Sequence, residues 1–386
     1  MARPSGDVLA LLEKLIAFDT TSHLSNMDII EFIGEYLLEH SVQSNLMPSP
    51  DGRKANLFAT VGPMVEGGVV LSGHTDVVPV EGQDWSSNPF AMEERDGRLY
   101  GRGTCDMKGF VATALALVPH FKKANLSKPI HLALSYDEEV GCKGAPAMIK
   151  RIAEELPKPL AVIVGEPTDM KPVNGHKGIC NVHTHVRGFA SHSSQTQIGV
   201  SAVMAAGELI SYLNGVAQDL AAQADEASGF TPAHSTLTVN VISGGTASNI
   251  MAQDCQFDFD LRMIPGDDPL EYVERFKDFA QTQILPKMQA ISPETDIRIS
   301  NDILVPSFAP EVDSDAQQLI RRLTGANQSY QVSFGTEAGQ FQNEGFSVIV
   351  CGPGSIAQAH QPNEFVTLDQ LAQCEQLLHK LTTELK

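Results

Sequence analysis

The sequence predicts a mixed α/β protein whose mostly parallel sheet has helices on both faces and carries an inserted ferredoxin-like α+β domain. Towards both ends of the chain, continuous apolar runs alternate with amphipathic helical patterns, which is typical of strands buried on both faces of a sheet. The middle of the chain has the order strand–helix–strand–strand–helix–strand, which is the ferredoxin-like plan. The length of 386 residues is sufficient for two or three domains, each with its own core.

Residues 1–177 form the first part of the predicted α/β domain. Their amphipathic periodicity predicts helices at 7–18, 27–41, 107–123 and 144–155. Their apolar runs predict buried strands at 69–73, 130–136 and 160–164. Because these strands are separated by helices, we expect them to lie parallel in one sheet.

Residues 178–303 form the predicted insertion, and residues 304–386 complete the α/β domain. The elements of the insertion are a strand at 179–187, a helix at 199–221, strands at 235–242 and 253–262, a helix at 269–286 and a strand at 296–300. Residues 302–310 have the composition of a return linker. A further buried strand is predicted at 347–351 and a final helix at 368–385.

Composition limits the classes of partner. The formal net charge is −20, with 47 acidic against 27 basic residues, which argues against nucleic acid or an anionic membrane as the main partner. The sequence contains no run of 18 apolar residues, so no membrane-spanning helix is predicted. Acidic residues inside the stretch 7–18 favour an amphipathic helix over a signal peptide. The six cysteines are scattered without a CxxC pair, which predicts reduced thiols in a cytoplasmic protein.

Polar side chains follow the predicted strands at the points where the strands end. In chain order these side chains are His74 and Asp76, Glu138 and Glu139, Glu166 and, after the late strand, His360. Ligands of open parallel sheets collect outside the carboxyl ends of the strands, so we expect these residues to share one site. Each pattern taken alone is compatible with a structural or surface role. Their joint occurrence at successive strand ends favours a metal site.

Imidazole and carboxylate ligands without thiolate suit zinc, cobalt or manganese. Asp106, in a glycine-rich loop before a predicted helix, adds a fifth candidate ligand to His74, Glu139, Glu166 and His360. Five protein ligands are too many for one tetrahedral ion that keeps an open position. Two ions that share Asp106 as a bridge would use all five. One ion would then take His74 and Glu166 and the other Glu139 and His360, with a water between them.

Glu138 and Asp76 are predicted to assist these ligands. Side chains of neighbouring residues in an extended chain point to opposite sides, so Glu138 can face the water when Glu139 faces an ion. Glu138 would then act as general base towards the water and as acid towards the leaving nitrogen. Asp76 is placed to accept a hydrogen bond from the second imidazole nitrogen of His74 and so to orient the ring.

Other catalytic motifs are absent from the sequence. It contains no GxxxxGK[ST] phosphate-binding loop and no GxSxG nucleophile elbow, and the glycines at 101, 103 and 109 do not have the dinucleotide-binding spacing. The sequence therefore lacks the usual nucleotide-binding and serine-hydrolase signatures.

With these residues in place, the sequence resembles the M20 family of dinuclear metallopeptidases and deacylases. The matching segments are 72–79 (SGHTDVVP), 100–109 (YGRGTCDMKG), 135–141 (SYDEEVG), 165–168 (GEPT), 188–194 (GFASHSS) and 359–364 (AHQPNE). The resemblance implies the ligands and roles given above, with two divalent ions per subunit. Zn²⁺ is the expected metal and Co²⁺ the alternative. A cis peptide bond between Asp106 and Met107 is also implied.

The resemblance also implies roles for the insertion. In the family this domain forms a homodimer and closes on the substrate. The matching histidine, His192, reaches the scissile carbonyl, often that of the partner subunit. Asn249 and Arg262 resemble the family's binders of a substrate carboxylate, which an arginine can grip through two hydrogen bonds.

The type of substrate is predicted from finer features. Glu166 in place of aspartate, together with Gly335 and Glu337 in the segment 333–342 (SFGTEAGQFQ), resembles a deacetylase that takes N2-acetyl-L-ornithine to L-ornithine and acetate. Glu337 could meet the ammonium group of that substrate, or could be a carboxylate favoured at a helix start. The alternatives are another N-acyl-amino-acid deacylase, a succinyl-diaminopimelate desuccinylase, and a carboxypeptidase or dipeptidase. If the protein is not an enzyme, the alternatives are a non-catalytic metal-binding module and a metal-free structural scaffold.

Overall fold

The computed structural model describes residues 2–312 and 314–386, and the chain divides into two units. Unit 1 comprises Met1–Gly175, Phe308–Tyr330 and Thr336–Lys386, and unit 2 comprises His176–Ser307 and Gln331–Gly335. Compared with the insertion predicted at 178–303, unit 2 also contains residues 176–177, 304–307 and 331–335.

The elements follow one another along both units. The helices, in chain order, are α1 (Gly6–Ile16), α2 (Met27–Glu39), α3 (Lys108–Ala116), α4 (Val118–Lys123), α5 (Ala145–Glu155), α6 (Ala202–Ala222), α7 (Pro269–Phe279), α8 (Leu285–Gln289), α9 (Asp315–Thr324), α10 (Ala338–Asn343) and α11 (Leu368–Glu384). The strands are β1 (Ser44–Pro48), β2 (Ala55–Val61), β3 (Val69–His74), β4 (Glu93–Arg95), β5 (Arg98–Tyr100), β6 (Ile130–Ser135), β7 (Ala161–Pro167), β8 (Val173–His176), β9 (Gly178–Arg187), β10 (Thr236–Gly244), β11 (Asp254–Met263), β12 (Asp296–Val305), β13 (Tyr330–Val332), β14 (Val348–Gly352) and β15 (Phe365–Thr367). A 3₁₀ turn lies at Glu226–Ser228 and a π-helical segment at Ala280–Ile284.

The largest sheet has the strand order β1-β2-β6-β3-β7-β14-β8-β13. Its four central strands, β6, β3, β7 and β14, run parallel to one another. β2 joins β6 antiparallel, β1 joins β2 antiparallel, and β8 joins β14 antiparallel. The predicted mixed α/β architecture with a parallel centre is therefore confirmed.

Helices cover both faces of the central strands. Val69, Leu71 and Ile163 belong to an apolar cluster that includes the buried residues of α1, α3 and α11. Val70 and Val162, which alternate with them along the strands, are buried outside that cluster. The buried side of α5 also lies outside it, and this helix packs against β2 and β6. Since successive side chains of a strand point to opposite faces, the two sets are covered by different helices.

The parallel strands bring their carboxyl ends to one edge of the sheet. β3 ends at His74, β6 at Ser135 and β7 at Pro167, and His74 lies opposite Ser135 in the pairing of β3 with β6. The residues that directly follow or end these strands therefore lie next to one another. A small sheet, with the order β15-β5-β4, places Phe365 opposite Tyr100 and so brings the residues before β15 beside the loop after β5.

Unit 2 contains an antiparallel sheet of four strands in the order β10-β11-β9-β12. Along β9, buried Cys180, Val182 and Val186 alternate with less buried residues, and they join the apolar residues of α6 and α7 in one core. Helices thus cover one face of this sheet, as in the predicted ferredoxin-like plan.

The elements that differ from the sequence prediction include one helix and one strand whose differences have a direct structural description. The helix expected at 107–123 is divided into α3 and α4 at Leu117, because Pro119 at the start of α4 has no N–H with which to continue the helical ladder. β12 continues to Val305, so the first part of the predicted return linker is a strand. Among the described residues, no helix has both the length and the apolar character needed to cross a bilayer.

Candidate metal centre

Asp106 lies at the centre of the candidate site in unit 1. Its Oδ1 is 3.0 Å from Nε2 of His74, and its Oδ2 is 3.3 Å from Nε2 of His360. The two oxygens of one carboxylate thus face two different imidazoles, which is the arrangement needed for a carboxylate that bridges two ions. The peptide bond between Asp106 and Met107 is cis, as the family resemblance implies.

A further carboxylate lies beside each imidazole. Oε1 of Glu166 is 3.7 Å from Nε2 of His74, and Oε2 of Glu139 is 2.9 Å from Nε2 of His360. Ligand atoms of His74, Asp106 and Glu139 lie within 4.8 Å of one another, as do those of His74, Glu138 and Glu166. The structure therefore brings together all five predicted ligands and Glu138.

Burial dominates the electrostatics of the carboxyl groups. It raises the pKa of Glu138 and of Glu166 well above the usual value and raises the pKa of Glu139 to about 7. Burial acts on Asp106 in the same direction, but hydrogen bonds with His360 and His74 outweigh it and hold the pKa of Asp106 below its usual value. The site thus gathers several carboxyl groups where burial disfavours their charged forms.

The residues present fit a pair of divalent cations. Oε1 of Glu139 is buried and has no hydrogen-bond partner, which is costly for a carboxylate oxygen unless a cation satisfies it. Three carboxylates and two imidazoles, without a thiolate among them, form the donor set expected for catalytic zinc or a similar ion.

Asp76 contacts its neighbours differently from the prediction. Nδ1 of His74 lies 2.9 Å from the backbone oxygen of Asp76, whereas the nearest carboxylate oxygen is 3.6 Å away. The imidazole therefore donates to the main-chain carbonyl. The carboxylate instead accepts hydrogen bonds from the backbone N–H groups of Glu138 at 3.1 Å and Glu139 at 3.2 Å, and from the hydroxyl of Ser22 at 2.7 Å. Asp76 thus holds the turn that carries both glutamates.

Glu138 and Glu139 direct their carboxylates to different partners. Glu139 contacts His360, while Glu138 groups with His74 and Glu166. Sγ of Cys142 lies 3.3 Å from Oε1 of Glu138 and donates a hydrogen bond to it. No sequence pattern predicts this contact, because the thiol reaches Glu138 through a tight turn and not through a periodic element.

Glu337, one of the predicted substrate-binding residues, is a buried carboxylate of unit 1. Its side chain is 1% exposed, and its two oxygens accept hydrogen bonds from Ser135 and, at 3.2 Å, from Ser72. Burial raises the pKa of this carboxyl. Both oxygens are therefore engaged inside unit 1, and the residue directly precedes α10, which agrees with the alternative of a carboxylate at a helix start.

The remaining candidates lie in unit 2. His192 pairs with Ile250 in an isolated bridge, and the N–H of Ser193 donates to the oxygen of Asn249 at 2.9 Å, so the structure brings His192 and Asn249 onto adjacent segments. Arg262, on β11, donates from Nε to Asp260 at 2.8 Å. A Cβ on Gly335 would lie 2.7 Å from the side chain of Ile179, so this position has no room for a side chain.

The chain is similar in sequence and fold to known proteins. A profile of peptidase family M20/M25/M40 matches residues 70–384. The chain is 34% identical over 375 residues to an acetylornithine deacetylase of Myxococcus xanthus, covering 96% of this chain and 95% of that one. It is 32% identical over 380 residues to an acetylornithine deacetylase of Pasteurella multocida, covering 97% and 96%. A crystal structure of an M20 metallo-carboxypeptidase from Sulfolobus solfataricus matches with a TM-score of 0.76 at 18% identity, over 98% of this chain and 99% of that one.

These similarities extend over nearly the whole chain, and they include the segments that carry the gathered histidines and carboxylates. The solved structure supports the fold, and the curated relatives support the type of reaction. This protein therefore belongs to peptidase family M20/M25/M40 and is a metal-dependent amidohydrolase.

Proposed function

We propose that this protein hydrolyses N2-acetyl-L-ornithine to L-ornithine and acetate, a step of arginine biosynthesis. The observation that carries the proposal is the geometry of Asp106, whose two carboxylate oxygens face the imidazoles of His74 and His360. The curated relatives named acetylornithine deacetylase support the choice of substrate. The unpaired state of all six cysteines supports a cytoplasmic location.

The proposed ligands divide between two divalent ions, Zn²⁺ or alternatively Co²⁺. Asp106 would bridge them, with His74 and Glu166 on one side and Glu139 and His360 on the other. Such ions, when bound, polarise an amide carbonyl and lower the pKa of a water molecule.

Glu138 would transfer the proton in this reaction. Its carboxylate accepts a proton from the attacking water and then donates it to the nitrogen that leaves as the amine. Burial raises the pKa of Glu138, which favours its uptake of a proton from the water. Asp76 and Cys142 hold Glu138 in place through the backbone N–H and the side chain.

Residues of unit 2 would bind the substrate. We propose that His192 donates a hydrogen bond to the acyl oxygen as negative charge develops there. Arg262 and Asn249 would bind the carboxylate of the amino acid, and the backbone of Gly335 would contact the substrate. Glu337 is not included, because its oxygens are already bonded within unit 1.

A panel of amides tests the proposed substrate. We expect kcat/KM for N2-acetyl-L-ornithine to exceed that for acetylmethionine, succinyl-diaminopimelate and dipeptides by at least about tenfold, since a poor match leaves buried polar groups unpaired. Initial rates with the zinc-loaded and the cobalt-loaded protein provide the measurement. A preference for succinyl-diaminopimelate would instead favour a desuccinylase, and a preference for dipeptides would favour a peptidase.

We also propose that two copies of the chain associate through unit 2. β10 is an edge strand of the sheet, and its Val241 and Ile242 are each 56% exposed. Met204, near the start of α6, is 73% exposed. An exposed apolar edge strand readily pairs with another chain, and a second copy presents the same surface.

Mixed dimers test whether His192 acts across this interface. Dimers that pair a His192→Ala subunit with a Glu138→Ala subunit, isolated through two different tags, are expected to recover about half of the wild-type activity. One of the two sites then combines an intact Glu138 with the partner's His192. The two homodimeric variants are the controls and are expected to be nearly inactive. Absence of recovered activity in the mixed dimer would contradict the shared site.

A further inference from the structure

We propose that Glu364 is a positioning residue that fixes the spacing of Asp106 and His360 and thereby sets the affinity for the ion bound with His360. The inference rests on the proposed dinuclear site, but not on the identity of the substrate. Glu364 is 1% exposed and lies four residues after His360, directly before β15.

The carboxylate of Glu364 holds the loop that carries Asp106. Its Oε1 accepts hydrogen bonds from the backbone N–H groups of Cys105 at 2.8 Å and Asp106 at 3.0 Å. Its Oε2 accepts from the N–H of Gly103 at 3.0 Å and from Nη1 of Arg102 at 2.8 Å. Backbone N–H groups that converge in this way form a nest for an anion, and here a side chain of the protein occupies it.

Arg102 extends this contact to the segment that carries His360. Its side chain is as buried as that of Glu364, and Nη1 also donates to the backbone oxygen of Gln361 at 3.3 Å. Its Nη2 donates to Oε1 of Gln83, and Nε2 of Gln83 donates to the backbone oxygen of His360 at 3.0 Å. One connected set of hydrogen bonds thus joins the backbone of Asp106 to the backbone of His360.

This connection matters because no regular element holds His360. Its φ is 62°, in the left-handed region that a residue with a Cβ adopts only when its surroundings favour it. Asp106 likewise lies in a loop before α3. The 3.3 Å approach of Oδ2 of Asp106 to Nε2 of His360 is therefore set by the contacts of Glu364, Arg102 and Gln83.

The variant Glu364→Gln distinguishes a role of Glu364 in positioning the loop of Asp106 from a role in filling space. The amide has the same shape as the carboxylate, but both oxygens of Glu364 accept from two donors each. In either orientation the amide NH₂ would face two N–H donors. The variant should therefore shift the loop of Asp106 without leaving a cavity.

Titration of the metal-free protein with Co²⁺, followed by calorimetry and visible absorption without substrate, tests the proposal. We expect Glu364→Gln to weaken the binding of one ion by about 10- to 100-fold, the usual effect of losing a group that orients a ligand. We also expect the absorption bands of the bound Co²⁺ to shift, which a purely structural role would not produce. Glu344→Gln, the same change at an exposed position, is the control and should bind as the wild type does.

A folded Glu364→Gln variant that binds both ions with wild-type affinity and an unchanged spectrum would overturn the proposal. If this variant does not fold, Gln83→Met decides, because it removes the contact to the backbone of His360 at a half-buried position. Weaker binding by Gln83→Met would support the proposal, and unchanged binding would overturn it. Since no substrate is used, an error in the proposed reaction would not affect either result.

Discussion

Replacing Glu138 with glutamine is expected to lower kcat for deacetylation by about 10²- to 10⁴-fold, the range typical of losing a positioned general base. The amide has nearly the shape of the carboxylate but cannot accept the proton of the attacking water. The backbone N–H of Glu138 would still donate to Asp76, so the turn that carries Glu139 should keep its position. The ligands of both ions therefore remain in place, and we expect two ions per subunit to stay bound.

Steady-state kinetics measures kcat, and elemental analysis of the purified protein measures the number of bound ions per subunit. Glu154→Gln, which makes the same chemical change on an exposed part of α5, is the matched control and should be fully active. A Glu138→Gln variant with wild-type kcat would remove Glu138 from the proposed mechanism. A variant that loses its metal together with its activity would instead make Glu138 a ligand, a role that its grouping with His74 and Glu166 also permits.

The gathering of the candidate metal ligands could be predicted because it depends on strand order and direction. His74, Glu139 and Glu166 end or follow parallel strands, and apolar runs in a sequence are sufficient to locate such strands. Asp106 and His360 lie in loops. Their inclusion depended on residue type and on resemblance to a known family, because loop geometry leaves no periodic pattern.

Contacts that involve the backbone or distant loops could not be predicted. The acceptor for His74 is the carbonyl of Asp76 and not its carboxylate, a choice determined by differences of less than 1 Å at the end of β3. Glu337, directly before α10, accepts hydrogen bonds from Ser72 of β3 and Ser135 of β6. Such arrangements arise from tertiary packing, in which residues far apart in the chain meet without any local signal.

Replacing Asp106 with asparagine is expected to abolish activity and to reduce bound metal from two ions to at most one per subunit. Asparagine offers a single carbonyl oxygen, whereas Asp106 presents one carboxylate oxygen to each imidazole. The change also removes a negative charge from the centre of the site, where charge balance with two divalent cations is required. The side chain keeps its size, so the fold of unit 1 should be retained.

Thermal unfolding with and without Zn²⁺ distinguishes loss of binding from loss of folding. A ligand that binds only the folded state at 100 times its Kd stabilises that state by about 2.7 kcal/mol, so Zn²⁺ should raise the Tm of the wild type. The Tm of metal-free Asp106→Asn should change much less on addition of Zn²⁺. Asp302→Asn, at an exposed position, is the control and should respond as the wild type does. An Asp106→Asn protein that binds two ions and shows the full increase in Tm would contradict the bridging role, because the two imidazoles would then not depend on a shared carboxylate.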